Sequence, residues 1–321
     1  MYCIDAGSIY CPCHLAETNN CVHCSQLSNN EFCQCKDWCG VCIYEKYLSN
    51  GATASKIRET YKCKLIEKES FEDNLYMFRI KVSQSLAKEL KYPGSFIFLR
   101  TLDSLNYYDV PISVMESDID SCIIKLLIKV TGIKTQKLSE SAEGNDLLVR
   151  GPFSNGIMGL LNINKSKNGI SIITAREIGI APSIPVMKKL YSNGNKIISL
   201  IECKYNKDIY KDYFKKFNLE VIDCSILDHG NLTDDFKSKL SEILNKYKVN
   251  LLHCGGPDIM TYKIIKFIDK SINLSCCNNA KMTCGEGICG SCTKHYEENV
   301  VKRLCKVQID PRDLFKDRRI I

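Results

Sequence analysis

The sequence predicts a multidomain chain. A small antiparallel β-barrel precedes an α/β domain, a compact cysteine-rich module lies before the barrel, and a cysteine-bearing segment closes the chain. Three observations predict this. Short strand-like runs follow one another to about residue 157 with no long helix between them. Strands and helices then alternate to about residue 272. The 20 cysteines crowd the two ends, with nine in the first 42 residues, six between Cys276 and Cys305, and five in the long middle. The corresponding divisions are 1–55, 56–157, 158–272 and 273–321.

Composition narrows the class. Of the 321 residues, 45% are hydrophobic and 25% are charged, which is ordinary for a folded globular chain. Lys and Arg number 44 against 37 Asp and Glu, and the resulting +7 is spread along the chain. Nothing in that balance marks a nucleic-acid groove. The N-terminus, MYCIDAGSIYCPCH, lacks the basic and apolar regions of an export signal. No apolar run reaches the roughly 18 residues of a membrane span. The expectation is a cytoplasmic protein whose clustered thiols bind metal rather than pair as disulfides.

From Tyr61 the runs YKCKLIEKE, YMFRIKVS, SFIFLRT, YYDVPISVM, CIIKLLIKV and DLLVRGPFSNG read as about six strands separated by turn residues such as Pro93–Gly94. Next, GISIITA, KIISLIEC, LEVIDC and NLLHCGG read as strands. SIPVMKKLYSNG, KDIYKDYFKKF, LTDDFKSKLSEILNKY and PDIMTYKIIKFIDKS read as helices between and after them. This alternation predicts a parallel sheet whose ligand crevice lies at the strand ends near Ala175, Cys203 and Cys254. His253 is expected to be a structural residue at a sheet edge.

Cys284, Cys289, Cys292 and Cys305 follow C-x4-C-x2-C-x12-C, which resembles the plant-type 2Fe-2S spacing. Four soft thiolates are what two tetrahedral ferric ions require. Gly285, Gly287 and Gly290 supply a loop tight enough to bring three of them round one centre. A four-cysteine zinc site usually uses two C-x2-C knuckles, and only one is present. Inert buried thiols are the other alternative, and packing is the expected role of Cys276 and Cys277.

At the N-terminus Cys11, Cys13, Cys21, Cys24, Cys33, Cys35, Cys39 and Cys42 form four close pairs. Eight thiolates suit two 4Fe-4S clusters or two zinc ions, and one cluster with spare thiols is a further arrangement. His14 and His23 are alternative ligands. Trp38 and Tyr44 are candidates to shield a centre. A structural zinc site or a reduced cysteine-rich loop stands beside the iron–sulfur reading.

Residues 60 to 321 resemble the electron-transfer subunit of dihydroorotate dehydrogenase, within the ferredoxin–NADP reductase superfamily. The resemblance lies in VPIS at 110–113, TGIKT at 131–135, GPFSNG at 151–156, EIGIAP at 177–182, CGGPDIM at 254–260 and the C-terminal cysteine spacing. It implies FAD on the barrel, NAD(P)H on the α/β domain and a 2Fe-2S cluster in the last segment. Electrons would then pass to or from a partner oxidoreductase or flavoprotein subunit in a hetero-oligomer.

Residue by residue, the resemblance assigns flavin contacts to Pro111, Ile112 and Ser113 and to Leu127, Ile128 and Lys129. It assigns the flavin diphosphate to Lys134 and Thr135. Arg176, Gly179 and Pro182 fall in the first nucleotide loop, and Cys254, Gly255, Gly256 and Pro257 in the turn beside the nicotinamide. Two departures stand out. Val110 replaces the arginine of Arg-Pro-x-Ser, leaving Lys129 or Lys134 to supply its charge. Arg176 and Glu177 replace loop glycines, so that Arg176 either reaches a phosphate or Glu177 repels it. No acid–base residue is needed for hydride transfer between stacked rings. The alternatives are a stand-alone NAD(P)H:acceptor reductase and a noncatalytic redox scaffold.

Overall fold

The computed structural model describes residues 2–35, 40–295 and 301–316. The chain forms two compact units, Met1–Tyr61 with Ala280–Ile309, and Lys62–Asn279 with Asp310–Ile321.

In the second unit six strands close a barrel: β1 (Thr60–Phe71), β2 (Leu75–Lys81), β3 (Phe96–Thr101), β4 (Val110–Asp118), β5 (Ile123–Lys129) and β6 (Asp146–Phe153). They run in the order β1-β2-β5-β4-β3-β6. The sequence had marked all six. It had not marked the seven-residue helix α1 (Ile133–Ser139) between β5 and β6, which is too short to show a helical period. Phe96 and Phe98 on β3 and Phe153 on β6 form a ring cluster, with centroids 5.1 Å apart in two of the pairs.

The chain leaves the barrel through β7 (Ile157–Met158) and enters the α/β layer. Its strands are β8 (Ile170–Arg176), β9 (Lys196–Glu202), β10 (Glu220–Asp223), β11 (Val249–Gly255) and β12 (Leu274–Cys277). The sheet order is β10-β9-β8-β11-β12-β7. The pairs from β10 to β12 are parallel, and β7 closes the edge antiparallel to β12. The longer helices are α2 (Ile180–Ser192), α3 (Asp208–Lys216), α4 (Asp234–Lys246) and α5 (Asp258–Phe267). On α3 the buried residues Tyr210 and Phe214 are one turn apart, as an amphipathic helix requires. Strand β12 extends the sheet beyond the expected four strands, so Cys276 and Cys277 are buried strand residues in register with the layer.

Barrel and sheet share one apolar core. Met77, Met115 and Leu127 from the barrel pack in the same cluster as Ile173, Ile180, Ile184 and Leu251. A polar latch accompanies it, in which Tyr213 Oη on α3 donates to Glu116 Oε2 on β4 at 2.6 Å and Lys125 Nζ lies 2.6 Å from the same oxygen.

The first unit joins the two ends of the chain. Tyr2–Cys3 pairs antiparallel with Val307–Gln308, and the Ile4 N–H donates to the Lys306 carbonyl at 2.8 Å. Cys11, Ala16, Cys24, Leu27 and Ile43 form a small core. Among the described residues no helix is long and apolar enough to cross a membrane, and every described cysteine is a free thiol.

His253 departs from its expected place at a sheet edge. It is fully buried on β11, an interior strand. Ser183 Oγ donates its single proton to the Gly179 carbonyl at 2.8 Å, so it must accept from His253 Nε2 at 3.2 Å. Nδ1 is then left to accept from Ser275 Oγ at 2.9 Å. The ring is a neutral Nε2–H tautomer tying β11 to β12 and to the start of α2. Burial lowers its pKa to about 3. The unfolded chain therefore gains a proton below about pH 6.5 that the folded chain refuses, and stability is lost as pH falls. Urea unfolding should show His253→Gln losing less stability than the parent between pH 7 and 5, with the difference growing by at most about 1.4 kcal/mol per pH unit.

Candidate functional site

The barrel end of the second unit carries a concentration of positive charge. Pro111, Ile112 and Ser113 lie on β4, whose preceding residue, Asp109, is buried. The Asp109 carboxylate receives Arg100 Nη1 from β3 at 2.5 Å and Arg150 Nε from β6 at 3.0 Å. Lys134 Nζ donates to the Asp109 carbonyl at 3.1 Å. The Arg150 guanidinium lies 4.3 Å from the Phe98 ring centroid, so its plane is held by an aromatic face as well as by the carboxylate. Two guanidinium groups thus share one carboxylate and an ammonium joins the same residue's carbonyl, which concentrates positive charge here. Arg100 Nε is buried without a hydrogen-bond partner. Such a set fits a dianionic diphosphate, because guanidinium forks match phosphate oxygens.

Val110 carries no charge, but arginines from β3 and β6 meet at the adjacent Asp109. Of the two lysines expected to supply that charge, Lys134 is in this group and Lys129 pairs with Asp73. The Thr135 hydroxyl serves its own turn, accepting from the N–H groups of Thr131 at 3.0 Å and Gly132 at 3.2 Å. Leu127 and Ile128 are buried, Leu127 in the shared core. Sequence reasoning missed Arg100, Asp109 and Arg150. The available signal was the arginine inside each apolar strand run, FIFLRT and DLLVRGPF, because a charge there requires a partner.

At the carboxyl ends of β8 and β11 the backbone is packed tightly. A Cβ on Gly179 would stand 2.3 Å from the Gly255 carbonyl oxygen, and one on Gly255 would stand 2.1 Å from Ser183 Oγ. These glycines permit strand end and helix start to touch. Pro182 lies in the first turn of α2, and Pro257 caps the start of α5. The Gly256 carbonyl accepts from Asn279 Nδ2 at 2.8 Å.

Both charged replacements in this loop meet partners within the protein, Arg176 as an ion pair whose two buried atoms make no hydrogen bond. Arg176 Nε lies 3.1 Å from Glu202 Oε1. The other Glu202 oxygen accepts from the N–H groups of Ile226 at 2.6 Å and Leu227 at 3.2 Å. Glu177 takes a φ of +47°, a region that favours glycine, and its Oε1 accepts from the Lys204 N–H at 3.3 Å. Cys254 is fully buried, and burial raises its thiol to about 12, which removes it as a nucleophile at neutral pH.

In the first unit the C-terminal cysteines come as two pairs. Cys289 is hydrogen-bonded with Cys284, and Cys292 with Cys305. The bond from Cys305 lowers Cys292 to about 6, while Cys305 itself is pushed up by that bond and by burial. Cys305 and Cys284 also feel one another electrostatically. Gly285, Gly287 and Gly290 have φ values of +72°, +81° and +77°, the left-handed backbone expected of this loop. The Glu286 N–H donates to Cys284 Sγ at 3.3 Å. The donor type and the loop suit iron, but among the described residues no group of three or more His, Cys, Asp or Glu is gathered closely enough to hold a metal ion. The four thiols group as two pairs.

The N-terminal thiols divide by exposure. Cys11 and Cys24 are buried in the small core, with Cys13 and Cys21 beside them, and burial raises Cys11 to about 11. The Cys24 N–H donates to Cys21 Sγ at 3.4 Å. Cys33 and Cys35 are exposed with their sulfurs 3.4 Å apart, and Cys42 Sγ accepts from the Glu45 N–H at 3.5 Å. His14 is paired with Glu17 at 2.7 Å, and Tyr44 packs against the small core. His23 is partly buried. Cys39 and Trp38 lie outside the described residues.

No family model matches the chain. It is similar to the electron transfer subunit of dihydroorotate dehydrogenase B (NAD(+)) from Clostridium acetobutylicum, with 29% identity over 232 residues covering 72% of this chain and 86% of the relative. The corresponding subunit of Fusobacterium nucleatum is 25% identical over 250 residues, covering 75% and 94%. Among solved structures, a chain of the NADH-dependent reduced ferredoxin-NADP oxidoreductase superposes with a TM-score of 0.60 at 22% identity, covering 80% of this chain and 93% of that one. The ferredoxin reductase in carbazole 1,9a-dioxygenase superposes at 0.51, with 13% identity and 69% of each chain covered. These likenesses establish the fold. The chain is a distant homologue of the dihydroorotate dehydrogenase B electron transfer subunits, built on the ferredoxin reductase fold.

Proposed function

We propose that the protein is an electron-transfer flavoprotein subunit that moves electrons between NAD(P)H, FAD and a 2Fe-2S centre, to or from a partner oxidoreductase. The observation that carries this reading is the concentration of positive charge around Asp109, beside Pro111–Ser113 on a reductase barrel. Bound FAD would supply the conversion between a two-electron hydride and single electrons.

The chain's own residues bind and orient. Arg100, Arg150 and Lys134 would hold the diphosphate, and Ser113 would offer its hydroxyl to the flavin edge. Gly179, Pro182 and residues 254–257 would line the nicotinamide side, with Arg176 released from Glu202 only if a phosphate competes for it. Cys284, Cys289, Cys292 and Cys305 would carry the 2Fe-2S centre once their two pairs close on iron. Ile288 is 59% exposed and Cys289 is also exposed, so the tip of this loop offers electrons a route to another protein. The partner is proposed from the relatives' description as electron transfer subunits. Cytoplasmic location is part of the same reading. For the N-terminal thiols we propose metal binding, with 4Fe-4S and zinc the two chemistries their number suits.

Titration calorimetry of the deflavinated chain tests the diphosphate site. Arg150→Met should weaken FAD by about tenfold or more, the worth of a charged hydrogen bond, and leave riboflavin, which lacks phosphate, nearly unchanged. Equal losses for both would place Arg150 in fold maintenance. Iron analysis of anaerobically prepared protein tests the centre, since Cys289→Ser should remove most of the reduced-state paramagnetic signal while flavin content persists. An unaltered signal would exclude these ligands.

A further inference from the structure

Four charged side chains in the first unit form a closed ring with little access to water. Arg58 Nη2 lies 2.6 Å from Asp5 Oδ1, and Arg58 Nη1 lies 2.9 Å from Glu286 Oε2. Lys306 Nζ lies 2.7 Å from Asp5 Oδ2 and 2.8 Å from Glu286 Oε2. Cation and anion alternate, so the complete ring is neutral. The side chains of Arg58 and Asp5 are 3% and 5% exposed, that of Lys306 is 0% and that of Glu286 is 19%. The Arg58 guanidinium also lies 4.2 Å from the Tyr10 ring centroid.

Two members belong to the cysteine loop region and two do not. Glu286 lies between Cys284 and Cys289, and its own N–H donates to Cys284 Sγ. Lys306 follows Cys305 directly. Asp5 and Arg58 come from the first 61 residues, far away in sequence. Leu15 from the same N-terminal stretch packs against the loop at Gly287, where a Cβ would stand 2.8 Å from Leu15 Cδ1.

We propose that Asp5 and Arg58 are positioning residues for the C-terminal centre, acting through Glu286 and Lys306 to set its reduction potential. This rests on the reading of Cys284, Cys289, Cys292 and Cys305 as ligands of a one-electron centre. A neutral ring exerts little net field on the thiolates. Removing one of its charges leaves an opposite charge uncompensated where water screens poorly, so the effect on a nearby electron is large and has a definite sign. Loss of the Arg58 cation leaves net negative charge and makes uptake of one electron harder. Loss of the Asp5 anion leaves net positive charge and makes it easier.

The test is a potentiometric titration of the full chain with its centre, followed by the paramagnetic signal of the reduced form. Arg58→Met should lower the potential and Asp5→Asn should raise it, each by about tenfold in the reduction equilibrium, or about 59 mV for one electron. Arg58→Lys should return the value toward the parent. A ring that serves folding alone would lower the melting temperature without shifts of opposite sign. If Arg58→Met does not retain the centre, the isosteric variants Asp5→Asn and Glu286→Gln still decide, since both must raise the potential. Equal potentials, or shifts of one sign in Arg58→Met and Asp5→Asn, with iron fully retained, overturn the proposal alone. A parent chain without iron overturns the underlying ligand reading.

Discussion

Burying two cations and two anions is tolerable only if all four arrive together. Each ion loses hydration worth several kcal/mol, and only close opposite charges and hydrogen bonds offset that loss. The ring of Asp5, Arg58, Glu286 and Lys306 meets that condition, with each cation touching both anions. It ties together residues 228 to 301 positions apart in sequence. Burial alone would drive Lys306 toward its neutral form, but Asp5 and Glu286 more than reverse this and hold it charged. The same pairs keep Asp5 below the usual carboxylate range despite its burial. The cysteine loop is thereby attached to a charged frame that cannot shift one member without exposing another.

The second unit answers a different constraint, which is to hold a cation-rich barrel edge and a tight strand–helix turn in one body. The core running from Met77, Met115 and Leu127 into Ile173, Ile184 and Leu251 joins barrel and sheet through apolar contact. His253 continues that order in polar form. Its two serine partners fix the tautomer and tie β11 to the start of α2, beside the Gly179–Gly255 contact. Positive charge is concentrated around Asp109, and Arg100 retains a buried donor without a partner. An unmet donor among clustered cations is a cost to the folded chain.

The barrel strands and the α/β alternation were legible because their apolar periods are long and uninterrupted. Short elements such as α1 and β12 escaped because a few residues cannot establish a period. The cysteine spacing showed a loop that the left-handed glycines now explain. Spacing could not show that the thiols stand as two pairs, since convergence depends on the rest of the unit. The ring itself was illegible, because no local pattern links residue 5 with residue 306. Likewise Val110 read as a missing charge, while the arginines around Asp109 sit on β3 and β6, which are neighbours only after the barrel closes. Leu127 and Ile128, which the motif places in a binding segment, have buried side chains.

The claim that joins both units is that electrons entering as hydride leave singly through the cysteine centre. Anaerobic titration of the flavin- and iron-loaded chain with NADH and with NADPH, followed together by flavin absorbance and paramagnetic resonance, tests it most directly. The account predicts bleaching of the flavin by at least one nucleotide and, with it, the signal of a reduced 2Fe-2S centre that is absent in Cys289→Ser. Flavin that stays oxidised with both nucleotides, or bleaches without any iron–sulfur signal, would contradict the account.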